Sequence, residues 1–410
     1  MVPLTLKCLG TYQNGVWLTI SSLLVWIDQM DIGLGSGLRN SLTAHIAHQE
    51  IIEARKVVSS CIAMLICVVI PIILLLLLVI NILDIYSFLN VNPNLVPELR
   101  VAFSSAVILV SLTFVLKSVS NIYMAMQLPA VSNLLISIGQ TLALICTYLL
   151  FVSGQSTFLA IVIINTAAPL LVYLLSFPIT FYYKFPFLRP SFRFANLHSA
   201  IELGNLGLKF FWLQIASILQ FWTANLLISK FFSPAMVTPY QIASRYLGTA
   251  MIIFTIICMP YWNATTDAYE RKDIKWIRDA NQKMNLMSVG CALLLVLMVL
   301  LSPWVYSLWI GDSCHVPFGI TLMMAIYIYL MIFSMRYSYF LNGIGALRIQ
   351  LYMTFMTVIF IPLSYIVSHI THNILWFMAV MCVCNVPGIV ANAIQFNKIL
   401  SGKATGVWRI

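Results

Sequence analysis

The run VVSSCIAMLICVVIPIILLLLLVINIL, Val57 to Leu83, decides the fold class. It carries no charge, and its length exceeds the roughly 20 apolar residues that a helix needs to cross about 30 Å of hydrocarbon. Backbone inside a membrane must satisfy its own hydrogen bonds, so an unbroken apolar run of this length reads as a spanning helix. A barrel strand would show shorter segments of alternating polarity.

Comparable runs recur on both sides, near 15–38, 99–126, 129–153, 157–182, 206–232, 238–262, 284–311, 318–342, 349–370 and 374–397. With Val57–Leu83 they predict an all-α polytopic membrane protein of about eleven full spans. Composition agrees: 61% of residues are hydrophobic, 8% are charged and the mean hydropathy is +0.96, outside the range of soluble domains. The segment MVPLTLKCLG, Met1 to Gly10, holds about half the residues of a crossing. It is expected to be the end of an incomplete helix. No basic stretch, apolar core and small-residue cleavage site mark a signal peptide. The nine cysteines mostly fall inside spans and lack metal-ligand or disulfide-framework spacing, so no metal and no cofactor is expected.

A net charge of +10 could point to nucleic acid, but its placement argues otherwise. Of the 22 Lys and Arg, 16 fall in one set of alternate loops, among them Arg55, Lys184, Arg189, Arg271, Lys275, Arg348 and Lys398. The opposite set holds Arg100. The positive-inside rule makes the basic loops and the C-terminus cytoplasmic, and no nucleic-acid partner is expected.

Sliding the sequence along itself by one constant shift places Asn40 on Asn263, Thr43 on Thr266, Glu50 on Asp273, Ile51 on Ile274 and Arg55 on Arg278. Tyr86 then falls on Trp309, and Val96-Pro97 lies close to register with Val316-Pro317. These matches, in register with the spans, predict two homologous lobes in parallel repeat, a plan that places binding sites between repeats. The expected division is an N-terminal transmembrane lobe over 1–183, a cytoplasmic linker over 184–205 and a C-terminal transmembrane lobe over 206–410. The charged stretches Asn40–Lys56 and Asn263–Lys283 carry spaced apolar residues and read as amphipathic helices at the membrane surface.

Several stretches resemble one family. DIGLGSGLRN (Asp31–Asn40), YQNGVW (Tyr12–Trp17), YQIASRY (Tyr240–Tyr246), SLWIGDSCHVP (Ser307–Pro317) and FLNGIG (Phe340–Gly345) resemble bacterial O-antigen flippases. These form part of the polysaccharide-transport branch of the multidrug/oligosaccharidyl-lipid/polysaccharide exporter superfamily. The resemblance covers nearly the whole chain and implies two six-helix lobes around a central cavity, about twelve helices in all with the first incomplete here. It also implies a bacterial inner-membrane location and movement of undecaprenyl-diphosphate-linked oligosaccharide from the cytoplasmic to the periplasmic leaflet. The implied partners are this lipid-linked sugar, membrane lipid and the O-antigen polymerase machinery.

Charges within spans are the candidate functional residues, because an ionised group facing lipid near the bilayer centre costs on the order of 2.5–3.5 kcal/mol on insertion scales. Lys117, Arg245 and Arg336 are expected to face an interior cavity, where cations replace the lost hydration of a diphosphate. Arg245 could instead pair with an acid. Lys117 and Arg336 are offset by nearly the repeat shift and so lie at similar depths. Lys230, near the end of its span, could join the cavity or snorkel to the interface. Asp28 and Asp31 stand close to one helical turn apart and share a helical face, so either could carry a coupling proton. A structural role is equally open, with Asp31 capping the glycine-rich turn or pairing with Arg39. Gly33, Gly35 and Gly37 form no nucleotide loop, since no strand precedes and no Walker lysine follows. They read as a hinge or a close helix contact.

Two rivals remain at this level. A multidrug antiporter of the same superfamily predicts an acid-lined cavity. A membrane-embedded polysaccharide polymerase or glycosyltransferase predicts a long external loop with catalytic Arg, Asp or Glu, whereas the longest outside loop here is roughly Asp84–Glu98. A transport protein, not an enzyme, is the expectation.

Overall fold

In the computed structural model of the chain, residues 2–29, 34–196, 223–346 and 348–408 are described, and the regular structure among them is helical. The chain divides into two compact units, Met1–Ile218 and Leu219–Ile410. Eight helices among the described residues are long and apolar enough to cross a membrane.

The first unit opens with α1 (Val2–Gln29), interrupted at Gly10 by φ 68° and ψ 175°. Only glycine adopts this conformation without a steric penalty, so the short apolar start is set apart from the longer helix that follows. Next come α2 (Leu34–Ala47), α3 (Ile51–Ile82), the single turn α4 (Ile85–Leu89), α5 (Leu99–Leu116), α6 (Ser118–Ala125), α7 (Pro129–Val152) and α8 (Phe158–Pro178). The second unit contains α9 (Thr223–Phe231), α10 (Pro234–Glu270), α11 (Ile274–Ile310), α12 (Phe318–Ile344), α13 (Arg348–Thr357), α14 (Phe360–Thr371) and α15 (Ile374–Leu400).

One sequence-based span is corrected and two fall partly outside the described residues. The span expected over 15–38 falls on α1, described to Gln29, and on α2, described from Leu34, with the residues between them outside the described set. The span expected over 206–232 lies largely outside the described residues, which resume at α9. That over 349–370 is split between α13 and α14. The two amphipathic surface helices are also not separate elements. Asn40–Lys56 is the end of α2, a tight turn and the start of α3, and Asn263–Lys283 is the corresponding junction of α10 with α11.

The reason is burial. Leu34, Leu38 and Leu42 recur every fourth residue along α2 and are essentially inaccessible, packed in one core with Val57, Val58 and Cys61 of α3 and Val119 and Ile122 of α6. Burying such a side chain is worth about 1.5–3 kcal/mol. The stripe therefore draws α2 onto its neighbours.

The outward faces carry the opposite pattern from a soluble protein. Along α3, Leu74, Leu75, Leu78 and Ile82 are 63%, 59%, 55% and 72% exposed, and along α11 Leu293, Leu300 and Leu308 are 68%, 68% and 75% exposed. Such continuous apolar surface is stable only against lipid. Interiors are built from small residues that allow close approach. A Cβ on Gly139 of α7 would lie 3.2 Å from Pro169 Cα of α8, and one on Gly343 of α12 would lie 2.7 Å from the Trp262 carbonyl oxygen of α10.

Candidate functional site

Within the first unit, α1, α5, α7 and α8 enclose a cleft of about 500 Å³. Trp17, Ser21, Leu24 and Val25 line it from α1, and Lys117 follows the last residue of α5. Gln140 comes from α7, and Asn165, Thr166, Pro169 and Tyr173 from α8. Two local features build it. The absent side chain at Gly139 lets α7 close against α8 next to Gln140. Pro169 has no N–H, so the Asn165 carbonyl loses its helical donor at the cleft wall.

Most hydroxyl and amide groups here bond back to their own helix. Thr113 Oγ1 donates to the Leu109 carbonyl at 2.8 Å, Asn165 Nδ2 to the Ile161 carbonyl at 2.8 Å, and Thr166 Oγ1 to the Val162 carbonyl at 2.8 Å. This pattern occupies both hydroxyl donors and one amide N–H of Asn165 and leaves oxygen lone pairs available. The Tyr173 hydroxyl meets Ser120 Oγ at 3.1 Å. Lys117 is half-buried and brings the single formal charge among the described lining residues. It sits at the break between α5 and α6, where its N–H reaches the Thr113 carbonyl at 2.8 Å and its own carbonyl accepts from Ser120 N.

In the second unit, Arg336 of α12 is 5% exposed. Its guanidinium donates to Asn285 Oδ1 of α11 and to the Tyr337 hydroxyl. It also lies over the rings of Phe333 and Tyr337, 4.5 and 4.3 Å from their centroids, and Nε has no hydrogen-bond partner. No carboxylate pairs with it among the described residues. For a buried cation held by neutral oxygens and ring faces, cation–π attraction offsets part of the desolvation.

The other candidates are dispersed. Arg245 is exposed on α10, and no ion pair involves it among the described residues. Lys230 is exposed in the last turn of α9. Arg39 is exposed on α2. Asp28 falls in the last turn of α1, and Asp31 lies outside the described residues. Lys117 and Arg336 thus belong to different units, each in its own polar surroundings. Sequence reasoning missed Gln140, Asn165 and Asn285, although an uncharged amide within an apolar span is a usable signal.

No protein-family model matches the chain, and no curated protein matches it. Among solved structures it is similar to an inward-facing multidrug resistance MATE family transporter of the MOP superfamily. That match has TM-score 0.81 and 15% identity, covering 98% of this chain and 94% of the other. An outward-facing transporter of the same description gives TM-score 0.61 and 14% identity over the same shares. A MOP superfamily transporter from Pyrococcus furiosus, described by a binding pocket of reverse polarity that suggests a different function, gives 0.58 and 12% over 98% and 99%. At these identities the likeness establishes the fold. The chain is a multi-pass membrane protein with the two-lobe MATE-like transporter fold.

Proposed function

We propose that this chain is a flippase that moves undecaprenyl-diphosphate-linked oligosaccharide from the cytoplasmic to the periplasmic leaflet of the bacterial inner membrane by alternating access. The observation that carries this reading is the charge of the first-unit cleft: Lys117 with Gln140, Asn165 and Thr166, and no carboxylate among the described lining residues. A lysine replaces the hydration a diphosphate loses on entering the protein, and the amides and hydroxyls suit sugar hydroxyls. Arg336 adds a buried cation in the other unit, and Arg245 and Lys230 extend the proposed cationic set.

The multidrug reading draws on the described function of the fold neighbours. It fits cationic compounds less well, since they would meet a positive wall at Lys117. Proton coupling is assigned to Asp28 and Asp31, with Arg39 as the basic partner that would tune them. The test is a strain lacking this chain. Lipid-linked repeat units should accumulate on the cytoplasmic leaflet, and the chain should relieve the accumulation. Unchanged leaflet distribution, together with restored resistance to cationic drugs, would replace the flippase by the multidrug transporter.

A further inference from the structure

The two units treat one equivalent surface differently. In the first, the face of α3 just after its turn is closed by the chain itself. Ser59 and Ser60 Oγ accept the backbone N–H groups of Ser191 and Asn196 at 3.2 and 2.8 Å. Arg55 lies 4.3 Å from the centroid of the Phe194 ring and donates from Nε to the Arg189 carbonyl at 2.8 Å. Lys56 is paired with Glu53 at 2.7 Å.

The repeat shift carries Glu53, Lys56 and Ser60 onto Trp276, Asp279 and Lys283 of α11. Here, among the described residues, the surface is open, as a cleft of about 320 Å³ between α10 and α11, lined by Pro260, Tyr261, Trp276, Asp279, Ala280 and Lys283. The rings of Tyr261 and Trp276 stand 6.4 Å apart, inclined by 33°. Asp279 and Lys283 are one helical turn apart and could pair, yet neither is engaged in a hydrogen bond or ion pair among the described residues. The cleft thus presents one acid and one base, both exposed and unpaired with each other.

Its surroundings pass from charged to apolar, as at a membrane boundary. Arg271, Lys272, Lys275 and Arg278 lie toward the helix turn. In the other direction the surface continues through Ile256 and Met259 of α10, 68% and 63% exposed, and Leu286 of α11, 74% exposed. Trp, Tyr and Lys at such a boundary suit a headgroup whose tails run along the apolar face.

We propose that this cleft binds the headgroup of a zwitterionic aminophospholipid, its phosphate at Lys283 Nζ and its ammonium between the Asp279 carboxylate and the faces of Trp276 and Tyr261. The paired opposite charges favour a zwitterion over an anionic headgroup, because Asp279 repels the latter. A primary ammonium can donate hydrogen bonds to Asp279, which a quaternary one cannot. The site is independent of the transported substrate.

Native mass spectrometry of the delipidated full-length chain, titrated separately with phosphatidylethanolamine, phosphatidylcholine and phosphatidylglycerol of matched acyl chains, tests the assignment. Phosphatidylethanolamine should bind about tenfold more tightly than phosphatidylglycerol, and Asp279→Asn and Lys283→Gln should each remove most of that preference. Arg271→Gln, altering the exposed Asp267 pair at 2.9 Å beside the turn, should leave it unchanged. Soluble glycerophosphoethanolamine should compete weakly, marking the tails as part of the ligand. Equal or tighter binding of phosphatidylglycerol by the wild-type chain would overturn the proposal whatever the variants do. So would unchanged selectivity in both cleft variants at wild-type melting temperature.

Discussion

Gln49 and Lys272, equivalent under the repeat shift, occupy the same left-handed backbone position, with φ 60° and 59°. Around Gln49, Glu50 N–H reaches the His45 carbonyl at 2.8 Å and Ile51 N–H reaches the Gln49 carbonyl at 3.1 Å. Around Lys272, Asp273 N–H reaches the Ala268 carbonyl at 2.8 Å and Ile274 N–H reaches the Lys272 carbonyl at 3.0 Å. One turn has been built twice. The correspondence continues where Thr43 Oγ1 donates to the Ala125 carbonyl at 3.2 Å and Thr266 Oγ1 donates to the Gly343 carbonyl at 2.9 Å. It continues further in the left-handed pairs Gln127 with Gly345 and Gly154 with His372, both offset by nearly the same shift.

Because a non-glycine residue in this conformation carries a steric cost, Gln49→Gly and Lys272→Gly should each stabilise the protein by up to about 1 kcal/mol. Isoleucine at either site should destabilise it. Thermal unfolding in detergent reads both signs.

Gly343→Ala should be among the most damaging small substitutions. Its Cβ would stand 2.7 Å from the Trp262 carbonyl oxygen and 2.9 Å from Thr265 Cβ, forcing α12 away from α10 at a cost of about 1–3 kcal/mol. Gly248→Ala, with no heavy atom within 4 Å, is the matched control and should be neutral or slightly stabilising. Equal melting temperatures for the two would contradict the close packing.

Removing Asn285 leaves the Arg336 guanidinium buried with one fewer acceptor. Asn285→Ala should therefore cost about 1–3 kcal/mol, and Asn285→Asp should recover stability by supplying a carboxylate. Thermal unfolding in detergent compares the two, and equal melting temperatures would contradict the bond between Asn285 and Arg336.

Lys117→Gln should lower surface polysaccharide severalfold while membrane insertion and melting temperature stay near wild type, and Lys117→Arg should retain most of the export. If Lys117→Gln exports normally, the cleft charge has no part in transport.

Asp28→Asn and Asp31→Asn remove titration while keeping shape. In vesicles, transport by the double variant should lose its response to an imposed pH gradient. A full response would leave both acids with structural roles, Asp31 as the partner of Arg39.

The sequence by itself determined the membrane class, most of the helix boundaries and the repeat. Hydropathy is summed along one segment, and turn chemistry such as Glu50 and Asp273 following the left-handed residues is local. Lys117 and Arg336 each precede a left-handed turn residue, Gln127 or Gly345, by nearly the same stretch of chain, as their spacing by nearly the repeat shift implies. The tertiary structure alone decided what surrounds each cation: Gln140 and Asn165 line the same cleft as Lys117, and Asn285, from the neighbouring helix, bonds Arg336. A helix that is apolar on nearly every side has only a weak preferred face. Its rotation is fixed instead by contacts such as Gly139 against Pro169, which no pattern within a single span encodes.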